Sequence, residues 1–192
     1  LGAIIGYFVG HAIAGEIPSV SGLLVIYLMV GLGVIGFIDD FLKTRKQRSL
    51  GLGGWSKIIG QVIVAGGFAA LALNFPDSEG LTPASLMISA VRDIHWLNLA
   101  VFGVIGGGIV FAIWVTLIIV SASNGVNVAD GLDGLATGAA IFAISSYIFI
   151  GFWQFNQNCN NSTIDPDVLY KCYEVRDPLD LAIIAAALAG AL

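Results

Sequence analysis

Residues 97–120 read LNLAVFGVIGGGIVFAIWVTLIIV, an apolar run without a single Asp, Glu, Lys or Arg. At a rise of about 1.5 Å per residue, a helix of this length crosses the roughly 30 Å hydrocarbon core of a bilayer with some tilt. The whole chain of 192 residues is 57% hydrophobic and 11% charged, with a mean hydropathy of +0.91. A soluble domain carries about 25% charged residues. The chain is therefore predicted to be part of an integral membrane protein.

Further apolar stretches alternate with short polar loops on both sides of this run. They cover 1–14, 22–38, 58–74, 136–153 and 179–192, which makes six segments in all. No stretch of about ten residues has the strict alternation of a membrane β-strand, and the period is that of helices. We predict an all-α polytopic membrane protein with one helical domain over 1–192. We also expect this chain to be an internal fragment of a longer protein.

The basic residues predict the orientation of these spans. Five of the eight Lys and Arg residues fall between positions 43 and 57, so the loop 39–57 is expected on the cytoplasmic side. Two spans separate that loop from the loop 121–135, which parity places on the same side. The loops predicted on the outer side are 15–21, 75–96 and 154–178.

Two adjacent acids close one of the apolar segments. The run GLGVIGFIDDFLK, residues 31–43, contains Asp39 and Asp40 at its polar end. An acid at membrane depth is costly unless it pairs, binds a cation or reaches water, so such residues are functional candidates. Adjacent residues point about 100° apart on a helix, so one acid could face a metal or phosphate while the other orients a lysine. The alternative is an ordinary solvated helix end, stabilised by Lys43 at i+4 from Asp39.

A second polar block, SNGVNVADGLDGLATG at 123–138, follows the run that opens this section. Asn124, Asn127, Asp130 and Asp133 recur three residues apart, and on a helix the last three would share one broad face. Their carboxylate and amide oxygens suit Mg²⁺ or the edge of a uracil and ribose. Parity brings this block to the same membrane face as the two adjacent acids. The alternative is a loop of turn-forming residues.

Other reactive side chains are predicted away from that face. His11 lies in an apolar run that leads outward, and His95 lies in an outer loop, so neither is expected in the site. Cys159 and Cys172 share the last outer loop, on the side that is oxidising in most cells. A disulfide and two free thiols both remain open, and neither cysteine is expected to be catalytic.

The motifs DDFLK at 39–43, GLGGWSK at 51–57 and the block at 123–138 together resemble the phospho-N-acetylmuramoyl-pentapeptide transferase family. That family is a branch of the polyprenyl-phosphate N-acetylhexosamine-1-phosphate transferases. The resemblance implies ten transmembrane helices, of which this chain would hold about six, and an active site at the cytoplasmic face of the bacterial cytoplasmic membrane. It implies transfer of phospho-MurNAc-pentapeptide from UDP-MurNAc-pentapeptide to undecaprenyl phosphate, giving lipid I and UMP for peptidoglycan biosynthesis. Mg²⁺ is the implied cofactor, a homodimer is one implied assembly, and no nucleic acid is implied.

The resemblance also assigns roles to residues. Asp39 and Asp40 take the place of the catalytic acid pair, and Asp40 would deprotonate the lipid phosphate or assist its attack. A covalent phosphosugar intermediate on an Asp stays open as the alternative. Asp39 is also a candidate Mg²⁺ ligand, but the main ligand would lie beyond Leu192, so we expect the isolated piece to be inactive. The implied substrate-binding positions are Lys43, Lys57, Asn124, Asn127, Asp130 and Asp133.

Three other functions compete with this interpretation. A sister transferase that uses UDP-GlcNAc would have the same acids and the same chemistry. A transporter would carry its acids near the middle of the spans and would break helices there, whereas these acids cluster at one end. In a membrane scaffold or lipid-binding protein the acids would be helix caps, and the basic residues would only set topology and contact anionic lipid.

Overall fold

The computed structural model describes residues 1–46, 51–77, 80–89, 93–129, 134–159 and 172–192, with Lys46 described by its backbone alone. These residues form a set of α-helices and one pair of short strands. The helices are α1 Gly2–Ala14, α2 Val20–Lys46, α3 Gly54–Ala72, α4 Gly103–Ala129, α5 Leu135–Phe155 and α6 Pro178–Ala189. The strands β1 Met87–Ser89 and β2 Asp93–Asn98 pair antiparallel, and a 3₁₀ turn at Leu99–Phe102 leads from β2 into α4.

Four of the described helices are long and apolar enough to cross a membrane. Large apolar side chains on these helices point away from the rest of the protein, as on α5, where Phe142 and Phe149 are 79% and 75% exposed. A helix satisfies its own backbone groups, so such a surface can face lipid. The four candidate spans are Val20–Arg45, Gly54–Ala72, Leu99–Ala129 and Leu135–Phe155. The predicted all-α polytopic membrane fold is confirmed.

The helices pack in an order that differs from their order in the chain. Helix α6 packs against α5, α1 and α2, while α3 lies between α2 and α4. Small residues bring α1 and α6 together: a Cβ placed on Gly6 or Gly10 would lie 3.5 Å from Ala187 or Ile183. Because helices in lipid associate mainly through close packing, these glycines allow the two backbones to approach.

Two helices extend beyond the ends of their apolar segments. Helix α2 continues past the segment 22–38 to Lys46, so the two adjacent acids lie inside the helix and not at its end. Helix α4 starts at Gly103, whose φ of 77° favours glycine, and continues to Ala129. Hydropathy reports where lipid contact ends, whereas helical hydrogen bonding can continue on polar residues that pair along one face.

The part of the chain between α3 and α4 carries structure that the apolar pattern does not indicate. Ser89 of β1 lies opposite Asp93 of β2, and the Asp93 carboxylate is 3.4 Å from Nη2 of Arg176, just before α6.

Between α5 and α6, Cys159 and Cys172 are joined by a disulfide. Of the two states that the sequence left open, the structure has the bonded one.

Candidate active site

Asp39 is a buried carboxylate on α2, with 7% of the residue exposed. One carboxylate oxygen, Oδ2, lies 2.7 Å from Nζ of Lys43 and 3.8 Å from Nζ of Lys57. The other, Oδ1, accepts a hydrogen bond of 2.8 Å from the backbone N–H of Leu52. A buried charge is tolerated only when it is paired and hydrogen-bonded. Asp39 therefore holds two lysines from different helices at one point.

Asp40 occupies the opposite environment, although it is the next residue. Its side chain is 78% exposed, and its Oδ1 accepts a hydrogen bond of 3.0 Å from Nζ of Lys43. The helix places Lys43 one turn beyond both acids, so one ammonium group bridges a buried and an exposed carboxylate. We call Asp39, Asp40, Lys43 and Lys57 the acid-pair cluster. Its members can offer both a carboxylate and N–H donors to a phosphate.

The loop that precedes α3 closes over Asp39. A Cβ on Gly51 would lie 2.6 Å from the carbonyl oxygen of Asp39 and 2.9 Å from Cε of Lys43. Only glycine fits this close approach, and it allows the N–H of Leu52 to reach the carboxylate. Gly51 was not among the predicted site residues, although the glycine-rich run GLGG, residues 51–54, marks this position in the sequence.

A buried hydrogen-bonded bridge joins α3 to α4 close to Lys57. Gln61, one turn after Lys57 on α3, is 1% exposed. Its Nε2 donates to Oγ of Ser123 at 2.9 Å, and its Oε1 accepts from Nδ2 of Asn124 at 2.9 Å. Nδ2 of Asn124 also donates to the carbonyl of Val120 at 2.8 Å. We call Gln61, Ser123 and Asn124 the α3–α4 bridge.

A cavity of about 200 Å³ lies against this bridge. Lys57 and Gln61 line it from α3, and Ser123 and Asn127 line it from the last turns of α4. The predicted residues Lys57 and Asn127 therefore border one cavity, while Asn124 supports its wall through Gln61. Ser123 and Gln61 were missed by the sequence analysis. In the sequence, Gln61 stands out only as a polar residue inside an apolar helix. A polar side chain in such a position is usually functional or hydrogen-bonded to another helix.

Two predicted residues, Asp130 and Asp133, lie outside the described residues. Asp130 comes directly after Ala129, the last residue of α4, and Asp133 follows three positions later in the sequence. The structure thus brings the acid-pair cluster together and sets Asn124 and Asn127 beside Lys57. The roles of all eight predicted residues stay predictions.

The described residues do not make a Mg²⁺ site by themselves. Mg²⁺ prefers several oxygen ligands in octahedral geometry. Both oxygens of Asp39 already contact lysines or the N–H of Leu52, and the exposed Asp40 adds a single carboxylate that is bound to Lys43. Among the described residues, no group of three or more His, Cys, Asp or Glu side chains is arranged to hold a metal ion. Mg²⁺ would need further ligands.

A second polar cluster lies at the other end of α2. Asp180, near the start of α6, accepts hydrogen bonds through Oδ2 from the hydroxyl of Tyr7 at 3.0 Å and from the N–H of Ser19 at 2.9 Å, and also from the Ser19 hydroxyl. Its Oδ1 lies 2.9 Å from Nε2 of His11. We call Tyr7, His11, Ser19 and Asp180 the Asp180 cluster. His11 was not expected in a site, and this cluster was not predicted, because its members come from two distant parts of the chain, residues 7–19 and Asp180.

Four candidate spans and a mixed cluster of acids, lysines and amides near the ends of α2, α3 and α4 define a polytopic helical membrane protein with a polar site at one end of its helices. Residues 22–192 match the family model described as glycosyl transferase family 4, and the chain belongs to that family.

Individual relatives agree with this assignment. The chain is 58% identical to the phospho-N-acetylmuramoyl-pentapeptide-transferase of Clavibacter michiganensis subsp. michiganensis, with 100% of this chain and 53% of the relative covered. Proteins of the same name from Kineococcus radiotolerans and Streptomyces avermitilis are 52% and 50% identical, again over 100% of this chain and 52% and 51% of theirs. The chain spans about half the length of the curated relatives it matches.

Proposed function

We propose that this chain carries part of the active site of a membrane enzyme that transfers phospho-MurNAc-pentapeptide from UDP-MurNAc-pentapeptide to undecaprenyl phosphate. The products are lipid I and UMP. Relatives that are 58% and 52% identical to this chain over the aligned residues are named phospho-N-acetylmuramoyl-pentapeptide-transferase. The structural observation that carries the proposal is the single lysine, Lys43, between a buried and an exposed acid.

The reaction requires the lipid phosphate to attack the phosphorus atom that bears the sugar. A new P–O bond forms to the lipid phosphate, the pyrophosphate P–O bond breaks, and UMP leaves with the electron pair. We assign Asp40, the exposed carboxylate, to the lipid phosphate, where it removes a proton or assists the attack. Asp39 does not need to touch substrate, because its role is to hold Lys43 and Lys57 where their remaining N–H groups can bind phosphate oxygens.

We assign the nucleotide to the part of the site near the last turns of α4. Asn127 borders the cavity beside Lys57, and amide groups can pair with the polar edge of a uracil. Asp130 and Asp133, which follow α4 in the sequence, are assigned to the same nucleotide. Mg²⁺ belongs to the proposal as the cofactor that neutralises phosphate charge when bound. Chelation with EDTA should abolish UMP release, and added Mg²⁺ should restore it.

The proposed location is the cytoplasmic face of the bacterial cytoplasmic membrane. The support is the concentration of lysines and arginines between positions 43 and 57, on the same end of α2 and α3 as the acid pair. A UDP-linked substrate is made in the cytoplasm, so this side suits the reaction. Undecaprenyl phosphate would reach the site from the surrounding bilayer.

The test uses the full-length protein in detergent with Mg²⁺ and undecaprenyl phosphate. UMP release is followed with UDP-MurNAc-pentapeptide and, in a separate reaction, with UDP-GlcNAc, each with Asp40→Asn as the control. Release with the muramoyl substrate alone, lost in the variant, is the expected result. Release only with UDP-GlcNAc would move the protein to the sister branch of transferases. Release with neither substrate would overturn the proposed function.

A further inference from the structure

Gln61 is an unusual residue for its position. It lies within a candidate membrane span, yet it carries a primary amide and is 1% exposed. An apolar side chain of similar volume would be favoured there, because burying an amide is costly unless both of its polar ends are hydrogen-bonded. In Gln61 both ends are used, and both partners belong to α4.

We propose that Gln61 is a positioning residue that fixes the last turns of α4 against the start of α3. Lys57 lies one turn before Gln61 on α3. The same face of this helix therefore contacts Asp39 through Lys57 and Asn124 of α4 through Gln61. The Gln61 amide bonds Ser123 and Asn124, and Asn127 follows Asn124 by about one further turn. Whatever fixes Asn124 therefore fixes the position of Asn127 relative to Lys57.

The cavity beside the bridge gives this coupling a consequence. Its polar lining is Lys57 and Gln61 on α3 and Ser123 and Asn127 on α4, and apolar residues of α2 and Val126 complete it. If the bridge were lost, α4 could rotate or slide on α3, since the surrounding contacts are apolar and non-directional. The separation of the cationic and amide walls would then vary. Both polar ends of Gln61 are bonded to α4, so its proposed role is to act through Asn124, although Gln61 also borders the cavity.

The inference rests on the proposed function for its kinetic consequence, namely that Lys57 and Asn127 bind opposite parts of the UDP-linked substrate. It predicts that loss of the bridge weakens binding of that substrate more than it slows the chemical step. A residue that only stabilised the fold would lower the yield of active enzyme without changing the KM of the enzyme that remains.

The experiment compares Gln61→Met with Ile59→Met in the full-length protein. Methionine keeps the length of glutamine and removes its hydrogen bonds, and Ile59 is a control on the same helix that is 56% exposed. For Gln61→Met we expect the KM for UDP-MurNAc-pentapeptide to rise about tenfold, the size expected from losing two neutral hydrogen bonds. The KM for undecaprenyl phosphate and the kcat should change by less than about threefold. An unchanged KM for the nucleotide sugar would overturn the positioning role.

A second readout does not depend on turnover. Spin labels on cysteines introduced at Ile63 of α3 and Val128 of α4, which are 68% and 80% exposed, report the distance between the two helices by pulsed electron spin resonance. The distribution should be narrow in the parent protein and in Ile59→Met, and broader or shifted in Gln61→Met. An unchanged distribution in Gln61→Met would overturn the proposal even if the transferase is active. Absence of UMP release from the parent protein would count against the proposed function, and the spin-label distances would still decide the role of Gln61.

Discussion

The acid-pair cluster and the Asp180 cluster are two solutions to the same problem, a buried carboxylate near the end of a membrane helix bundle. Ser19 directly precedes α2, and Asp39 lies 20 positions after it, so the two clusters are separated by roughly 30 Å along this helix. Asp39 and Asp180 are 7% and 9% exposed. Burial alone therefore does not distinguish them.

The partners of the two carboxylates differ. Asp180 is surrounded mainly by hydroxyl and backbone donors, from Tyr7 and Ser19, with His11 at its second oxygen. These groups come from α1 and from the residue that precedes α2, so their hydrogen bonds fasten both to α6. The donors are engaged within the cluster, which is the pattern of a structural network, although His11, Ser19 and Asp180 also border a cavity of about 330 Å³.

The partners of Asp39 retain unused hydrogen-bond donors. Lys43 and Lys57 each have three N–H donors, and Lys43 is shared with the exposed Asp40. A phosphate could bind to these ammonium groups while Asp39 continues to hold them. We therefore predict that the acid-pair cluster is functional, because its partners are long cations beside an exposed acid, and that the Asp180 cluster is structural, because its partners are engaged within it.

The strongest test of this distinction is the pair Asp40→Asn and Asp180→Asn. Asp40→Asn keeps the shape of an exposed side chain, so the melting temperature should stay unchanged while UMP release falls by about 10³-fold, within the range for loss of a general base. Asp180→Asn should leave turnover per folded molecule close to that of the parent protein. Equal losses of turnover in both variants would remove the distinction between the two clusters.

Removing the Asp180 carboxylate altogether should cost stability. In Asp180→Ala the Tyr7 hydroxyl and the Ser19 N–H lose their acceptor in a buried site, and we expect a loss of about 3 kcal/mol, as for other broken buried networks. Thermal unfolding in detergent measures this effect, and Tyr7→Phe, which removes one donor, should lose less. If Asp180→Ala melts like the parent protein, the Asp180 cluster does not fasten α1 and α2 to α6.

A smaller effect is expected from the loop above Asp39. In Gly51→Ala the new methyl group would meet the Asp39 carbonyl and displace the Leu52 N–H from the carboxylate. Because the lysines remain, we expect turnover to fall about tenfold, equivalent to about 1.4 kcal/mol in the barrier. Gly54→Ala is the matched control, since a Cβ there has no neighbour within 4 Å. Similar activity of the two variants would show that the loop does not position Asp39.

The helices were predictable from sequence because the side chains that face lipid are apolar. The segments 58–74 and 136–153 agree with α3 and α5 to within a few residues, because every residue of a span contributes to the same local signal. Parity of the spans also put Asp39 and the Asn124 block on one side, and the structure has them on α2 and α4, which both pack against α3, although their roles are untested.

The contacts between helices were not predictable from sequence, because they join residues that are distant in the chain. The hydrogen bond from Tyr7 to Asp180 joins residues 173 positions apart, and that from Gln61 to Ser123 spans 62 positions. No local pattern marks either pair, because a polar residue in an apolar run gives the same signal whether it binds a ligand or another helix. The length of α2 was missed for a different reason: Lys43 pairs with the two acids three and four positions before it, and these local pairs continue the helix beyond its apolar part.

Asp93 provides the smallest and most discriminating test, because it combines a cationic partner with a position far from the acid pair in the sequence. Burial raises the pKa of Asp93, but hydrogen bonds from Ser89 and Ser85 and the charge of Arg176 outweigh it, so the pKa lies below its ordinary value of 3.8. A carboxylate with a lowered pKa contributes stability at pH values above its unfolded pKa, and this contribution is lost as the pH falls through the folded pKa.

The melting temperature of the parent protein should therefore fall between about pH 5 and pH 3 by more than that of Asp93→Asn, which lacks the titrating group. Asp93 resembles Asp39 in one respect, because its partner Arg176 is shared with an exposed acid, Glu174, at 3.7 Å. Turnover at neutral pH should nevertheless be the same in both proteins, because Asp93 lies in the predicted outer loop 75–96, on the opposite side from the acid pair. A large loss of turnover in Asp93→Asn would mean that a cation shared by two acids marks a functional acid even away from the acid-pair cluster.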